Sequence, residues 1–248
     1  MSKFKHSGFT MAEILLTLGI IGVIAMFTLP ALMNNIQKQQ AGPALIKAMG
    51  VLETAHALMI NEHDMFSLKE GCGLGSQGSL SGHAALGVSD KKLYINNCFE
   101  PYIKTRIGAH KETKYITYKK FNGKDDSIKT NSKSSVYTTK NGVTYIFQDM
   151  FGGTYAGKYH LSGFYIDING INKKPNQLGK DLFHVLIHIE DQGQIVACGS
   201  HLAVDLIGNN TTNWETTCNS TTKQNKITGD TCSGSIIDNN GKVIYKWP

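Results

Sequence analysis

A chain of 248 residues, 41% hydrophobic and 18% charged, has room for a membrane anchor plus one domain of ordinary size with material for a core. Its formal net charge of +6, two of it from Lys3 and Lys5, is a small excess at this length; it argues only weakly for anionic partners such as nucleic acid, polysaccharide or a cell surface and reads first as a solvated lysine face. The apolar residues are densest in the first 33 positions, so the remainder reads as a soluble head.

Taken in order, the chain opens with Lys3 and Lys5 and then runs from Ile14 to Met33 through 20 residues without a charge. A helix needs about 20 such residues to cross a bilayer core of ~30 Å, so the run reads as a membrane span. The leader lysines favour a cytoplasmic N-terminus, with the following domain outside in an oxidising compartment. Glu13 stands at the entrance of this run, where an unpaired buried charge costs on the order of 2.5 kcal/mol or more. An ordinary secretory signal fits poorly, because its apolar core spans about 7–15 residues and ends at a small-residue cleavage site.

Lys3, Lys5, Gly8, Phe9, Thr10 and Glu13, followed by the apolar run with Pro30, resemble the leader and N-terminal helix of type IV prepilins and type II secretion pseudopilins over about the first 35 residues. The resemblance implies a prepilin peptidase that cuts between Gly8 and Phe9 and N-methylates Phe9. It implies assembly with other pilin or pseudopilin subunits on an inner-membrane platform, where Glu13 of one subunit neutralises the new Phe9 amine of its neighbour and sets axial register. Glu13 read without the resemblance simply tops an anchor helix, since a carboxylate near a helix N-terminus is favourable. The fold implied is α+β and pilin-like: a long N-terminal helix, transmembrane in its first half and amphipathic in its second, packed on an antiparallel β-sheet head. The corresponding segments are a leader at 1–8, a transmembrane and assembly helix at 9–33, an amphipathic continuation at 34–62 and a β-rich head at 63–248. Localisation would be single-pass in the cytoplasmic membrane, in contact with membrane lipid, then in an extracytoplasmic filament.

Within that continuation Leu45, Met49, Leu52, Ala55 and Met59 recur at helical spacing and define one apolar face. Gly19, Gly22 and Pro30 predict a bend or a meltable section between Gly22 and Pro30. Gly42-Pro43 predicts a second kink, or a break into two helices. Residues 69–86 read as a loop. Gly73 to Gly78 matches G-x-G-x-x-G, but no strand precedes it and no dinucleotide site is assigned.

Strand periodicity begins near Lys114. Tyr115–Tyr118 reads as one strand. Ser135–Lys140 and Val143–Gln148 flank Asn141-Gly142, a two-residue hairpin turn, and Tyr159–Ile168 is a further strand. Phe183–Glu190 and Gln194–Cys198 form a hairpin around Asp191-Gln192-Gly193. Ser235–Ile237 and Lys242–Trp247 form a last one around Asn239-Asn240-Gly241. Asn209 to Gly229 is polar and reads as an exposed loop, its Asn-x-Ser/Thr triplets as chance.

Five cysteines leave at least one without an intramolecular partner. Cys218 with Cys232 is the first expected pair, which the resemblance supports, since many type IV pilins staple a C-terminal loop. Cys72 with Cys98 is the second, leaving Cys198 free, and Cys198 with Cys218 is a competing bridge. Asp167-Ile168-Asn169-Gly170, followed by Lys173-Lys174-Pro175-Asn176 and then Asp181, has two readings. The first is a turn built by Asp167 and Asn169 with Asp181 capping the next element. The second is a calcium loop, from oxygen ligands at alternate positions before a glycine. His184 and His188 have the spacing of zinc ligands on a helix, but their strand context merely puts both on one face. Lysines interleaved with Tyr115, Tyr118, Phe121 and Tyr137 between 111 and 140 read as solvated surface, with nucleic acid an unfavoured partner. No nucleophile, acid–base pair or phosphate cradle appears in sensible context, so the chain does not read as an enzyme.

Overall fold

A computed structural model describes residues 8–62, 98–122, 128–129, 133–147, 152–155, 158–188, 194–207, 213–219 and 229–248. The chain divides into two units, Met1–Gln40 and Ala41–Pro248. Helix α1, Met11–Glu62, runs through Pro30 and through Gly42-Pro43 without interruption, so the expected break at Gly42-Pro43 is not present. In the first unit its large apolar side chains are exposed, among them Leu15, Ile20, Val23, Phe27 and Leu32. Among the described residues it is the helix long and apolar enough to cross a membrane.

From Ala41 onward the same helix belongs to the head. Ala41, Leu45, Ala48, Met49, Leu52, Ala55 and Met59 are buried at helical spacing and join one core with Tyr145, Phe147, Phe164, Phe183 and Ile187 of the sheet. The Tyr145 hydroxyl donates to the Ala48 carbonyl at 3.0 Å, fixing the sheet to the helix backbone. At Gly42 a side chain has no room: a Cβ there would lie 1.8 Å from the Gly241 carbonyl oxygen. Close backbone approach is therefore what the helix glycine supplies.

Helix α2, Glu100–Ile107, ends on Gly108 at φ 64°. The sheet strands are β1 His110–Lys114, β4 Ser134–Thr138, β5 Thr144–Phe147, β6 Gly152–Tyr155, β7 Lys158–Asp167, β8 Leu182–His188 and β9 Gln194–Ala197. They pair antiparallel in the order β1-β4-β5-β7-β8-β9, with β6 added to β7. Strands β2 Thr117–Tyr118 and β3 Ile128–Lys129 make a separate two-stranded ribbon. The single strand expected at Tyr115–Tyr118 is thus the ribbon's first strand, and β1 precedes it. The fold is α+β.

The β4–β5 connection differs from the expected two-residue turn. Thr139 N–H donates to Val143 O and Gly142 N–H to Thr139 O, each at 2.9 Å, with Gly142 at φ 90°. That is a three-residue loop ending in a left-handed glycine. The expected hairpin over Ser235–Trp247 is a correction: Cys232–Asp238 is helix, here α5, following the short helices α3 His201–Ile207 and α4 Trp214–Thr217, the last of which falls inside the expected polar loop. Asn239-Asn240-Gly241 does turn the chain, but as a helix cap. Gly241 N–H donates to Ile236 O at 2.8 Å and Asn240 N–H to Ile237 O at 3.1 Å, with Asn240 at φ 52°. This pair of bonds is the Schellman closure of a helix end.

Candidate functional site

The expected processing site sits at the mouth of α1. Gly8 and Phe9 precede the first helical turn, and Phe9 is 84% exposed. Thr10 and Glu13 close a reciprocal capping box. Glu13 N–H donates to Thr10 Oγ1 at 3.2 Å, while Thr10 N–H and its hydroxyl both donate to Glu13 Oε2 at 2.8 Å. The Thr-x-x-Glu spacing carries this signal in the sequence. Treating Glu13 as a helix-top carboxylate alone gives its place but not its bond to Thr10. Lys3 and Lys5 lie outside the described residues.

A second constellation lies in the turn joining β7 to β8. Asp167 ends β7 fully buried, and its Oδ1 accepts the N–H of Asn169 at 3.2 Å and of Gly170 at 2.7 Å. Asp181, also buried, accepts Gln177 N–H at 2.6 Å on Oδ1, with Asn176 N–H at 3.0 Å and the Asn169 amide at 3.2 Å on Oδ2. The structure therefore brings the three residues Asp167, Asn169 and Asp181 into one network. It adds Asn176, whose amide donates to Ile171 O at 2.9 Å and whose backbone adopts φ 50°. The sequence reading places Asn176 in this stretch, five positions before Asp181, without giving it a role. Gly170, at φ 96°, lies against the β4–β5 loop, where a Cβ would come within 2.4 Å of Gly142 O.

Burial chiefly, and then the Asp181 charge, push the Asp167 carboxyl up to about 7 against the bonds from Gly170 and Asn169. Burial raises Asp181 as well, opposed by its backbone donors. Two mutually repelling carboxylates in one buried turn disfavour full ionisation of both.

Cys218 and Cys232 are joined by a disulfide with Cα atoms 5.2 Å apart. Cys198 is free and Cys98 is disulfide-bonded; Cys72, its expected partner, lies outside the described residues, as do the glycine motif at 73–78 and the Asp191-Gln192-Gly193 turn. His184 stacks on Tyr165 at 4.7 Å, and both it and His188 stand in β8. Among the described residues no three His, Cys, Asp or Glu side chains gather as a metal-ligating group. Tyr118, Phe121 and Tyr137 of the lysine-rich stretch are buried, and Tyr115 is exposed. Lys111 pairs with Glu100, which also holds Lys104.

A cleft of about 450 Å³ is lined by Glu53, His56, Ala57 and Ile60 of α1, by Gln194 and Ile195 of β9 and by Leu202 of α3. Burial raises the Glu53 carboxyl and lowers the His56 imidazole to about 4. Compared with protein families, with curated proteins and with solved structures, the chain matches none.

Proposed function

We propose that this chain is a structural subunit, major or minor, of a type IV pilus or type II secretion pseudopilus. Prepilin peptidase cuts it between Gly8 and Phe9, and it assembles with other pilin or pseudopilin subunits on an inner-membrane platform through its N-terminal helix. The observation that carries this reading is the unbroken α1: apolar and exposed from Met11 to beyond Met33, headed by Glu13, and from Ala41 built into the core of an α+β head. An exposed apolar helix surface of that length needs lipid or other helices to cover it. In lipid, Glu13 is costly alone and tolerable beside the Phe9 amine of a neighbouring subunit.

Mass spectrometry of the exported protein tests the first step; a terminus at methylated Phe9 is expected, and Met1 retained, or a terminus beyond Ala25, sinks the proposal. The Glu13→Ala variant tests the second. It should be cleaved normally and lost from the sheared filament fraction.

The cleft beside His56 favours one other reading, a membrane-anchored or filament-tip module whose head binds a surface ligand. In that case the Glu13→Ala chain keeps its activity once its full complement of partners is present.

A further inference from the structure

Three side-chain oxygens in the turn between β7 and β8 are buried without a hydrogen-bond donor: Asp167 Oδ2, Asn169 Oδ1 and Asn176 Oδ1. Buried acceptors left unmet cost about 1–3 kcal/mol each, so three in one short turn call for a common explanation. Reversing the amides does not supply it. The Asn169 NH₂ is committed to Asp181 Oδ2 and the Asn176 NH₂ to the Ile171 carbonyl, which leaves the oxygens as the open ends.

The three residues that carry these oxygens belong, through their other atoms, to one hydrogen-bonded network with Asp181, whose charge acts on Asp167. What such a network needs is positive charge. The lysines of the same turn do not bring it: Lys173 and Lys174 are exposed, and the Lys180 ammonium goes to the Pro248 carbonyl at 3.3 Å. Among the described residues no ion pair engages either carboxylate.

We propose that this turn is a binding site for a hard divalent cation of the calcium class, held by Asp167 Oδ2, Asn169 Oδ1, Asn176 Oδ1 and the Asp181 carboxylate. The donors are all oxygen, which selects against zinc and copper and for calcium or magnesium. Two carboxylates balance the charge of one divalent ion. Calcium takes 6–8 oxygens in flexible geometry, so backbone carbonyls and water complete the shell; magnesium asks for a stricter octahedron than an irregular turn offers. Backbone N–H groups of Asn169, Gly170, Asn176 and Gln177 already hold both carboxylates in place, so little ordering remains to be done on binding. This site is independent of filament assembly, and neither proposal falls with the other.

The test uses the full chain in detergent micelles, stripped with EDTA and titrated with calcium chloride by calorimetry and by thermal melting. Binding with a Kd at or below roughly 10⁻³ M is expected. The melting midpoint should rise by roughly 5–10 °C when calcium reaches about 100 times that Kd. Asp167→Asn keeps the Oδ1 acceptor that shapes the turn and removes a ligand charge, so it should fold in EDTA and lose the calcium response. Asn169→Ala leaves the backbone bond to Asp167 intact and should weaken binding at least about tenfold even if Asp167→Asn fails to fold. No heat and no midpoint shift in the parent chain overturns the assignment, as does unchanged affinity in Asn169→Ala.

Discussion

Gly42 and Gly241 meet backbone to backbone: the helix of the head and the cap that ends α5 approach so closely that no Cβ fits between them. Gly42→Ala must therefore push the two apart, and nearby core residues Ala41 and Leu45 are carried with the helix. A loss of about 3 kcal/mol or more is expected, measured as the urea midpoint of the solubilised chain. Gly50, on the same helix, is the control, because a Cβ added there would meet nothing within 4 Å; Gly50→Ala should stabilise by up to about 1 kcal/mol.

Thr10 and Glu13 separate two roles that a single substitution confounds. Thr10→Ala opens the capping box and costs about 1 kcal/mol of helix start. Glu13→Gln keeps a side-chain acceptor for Thr10 but removes the charge. If Glu13 sets register against a neighbour, Thr10→Ala should still enter filaments and Glu13→Gln should not, with both cleaved alike. Immunoblots of sheared filaments, with mass spectrometry of the N-terminus, decide between them.

Head stability without divalent cations should carry two opposed pH dependences. Asp167 in the fold holds its proton up to about 7 against 3.8 when unfolded. Its contribution, on the order of 4 kcal/mol at most, is complete below about 3.8 and is lost as pH rises to 7. His56 behaves oppositely: lowered from 6.5 to about 4, it contributes fully above 6.5 and loses that contribution as pH falls toward 4. Urea unfolding in EDTA should show, relative to the parent chain, Asp167→Asn gaining stability from pH 4 to 6.5 and His56→Leu losing it from pH 4 to 7. The reverse slopes would refute this assignment.

The Cys218–Cys232 bridge closes a segment of sequence separation 14 between α4 and α5. Replacing both cysteines with alanine should cost about 3 kcal/mol. The loss should appear in the urea midpoint and as faster proteolysis near Asn219.

What could be read from the residues follows from how local their signals are. Leu45, Met49, Leu52, Ala55 and Met59 announce a buried helix face because one periodicity serves one neighbour, and all five are buried. Strands β4, β5, β7, β8 and β9 are legible for the same reason, being flanked by polar or glycine turns. Asn239-Asn240-Gly241 misleads because a left-handed asparagine before glycine closes a hairpin and a helix equally well. What decides is tertiary: the Ser233 hydroxyl reaches the Cys198 carbonyl at 3.2 Å, and Gly234 lies against the backbone of Gly199 and Ser200. Asn176 stands in the same suggestive stretch, but its role is not legible there because it depends on the chain doubling back to Asp181.

Strand β1, His-Lys-Glu-Thr-Lys, is a terminal strand of the main sheet, and among the described residues no strand pairs with its outer side. Such a border repels an incoming strand, since any zipped neighbour would have to strip water from Lys111, Glu112 and Lys114. A second copy meeting this border is thereby disfavoured from zipping onto the sheet as a cross-β neighbour.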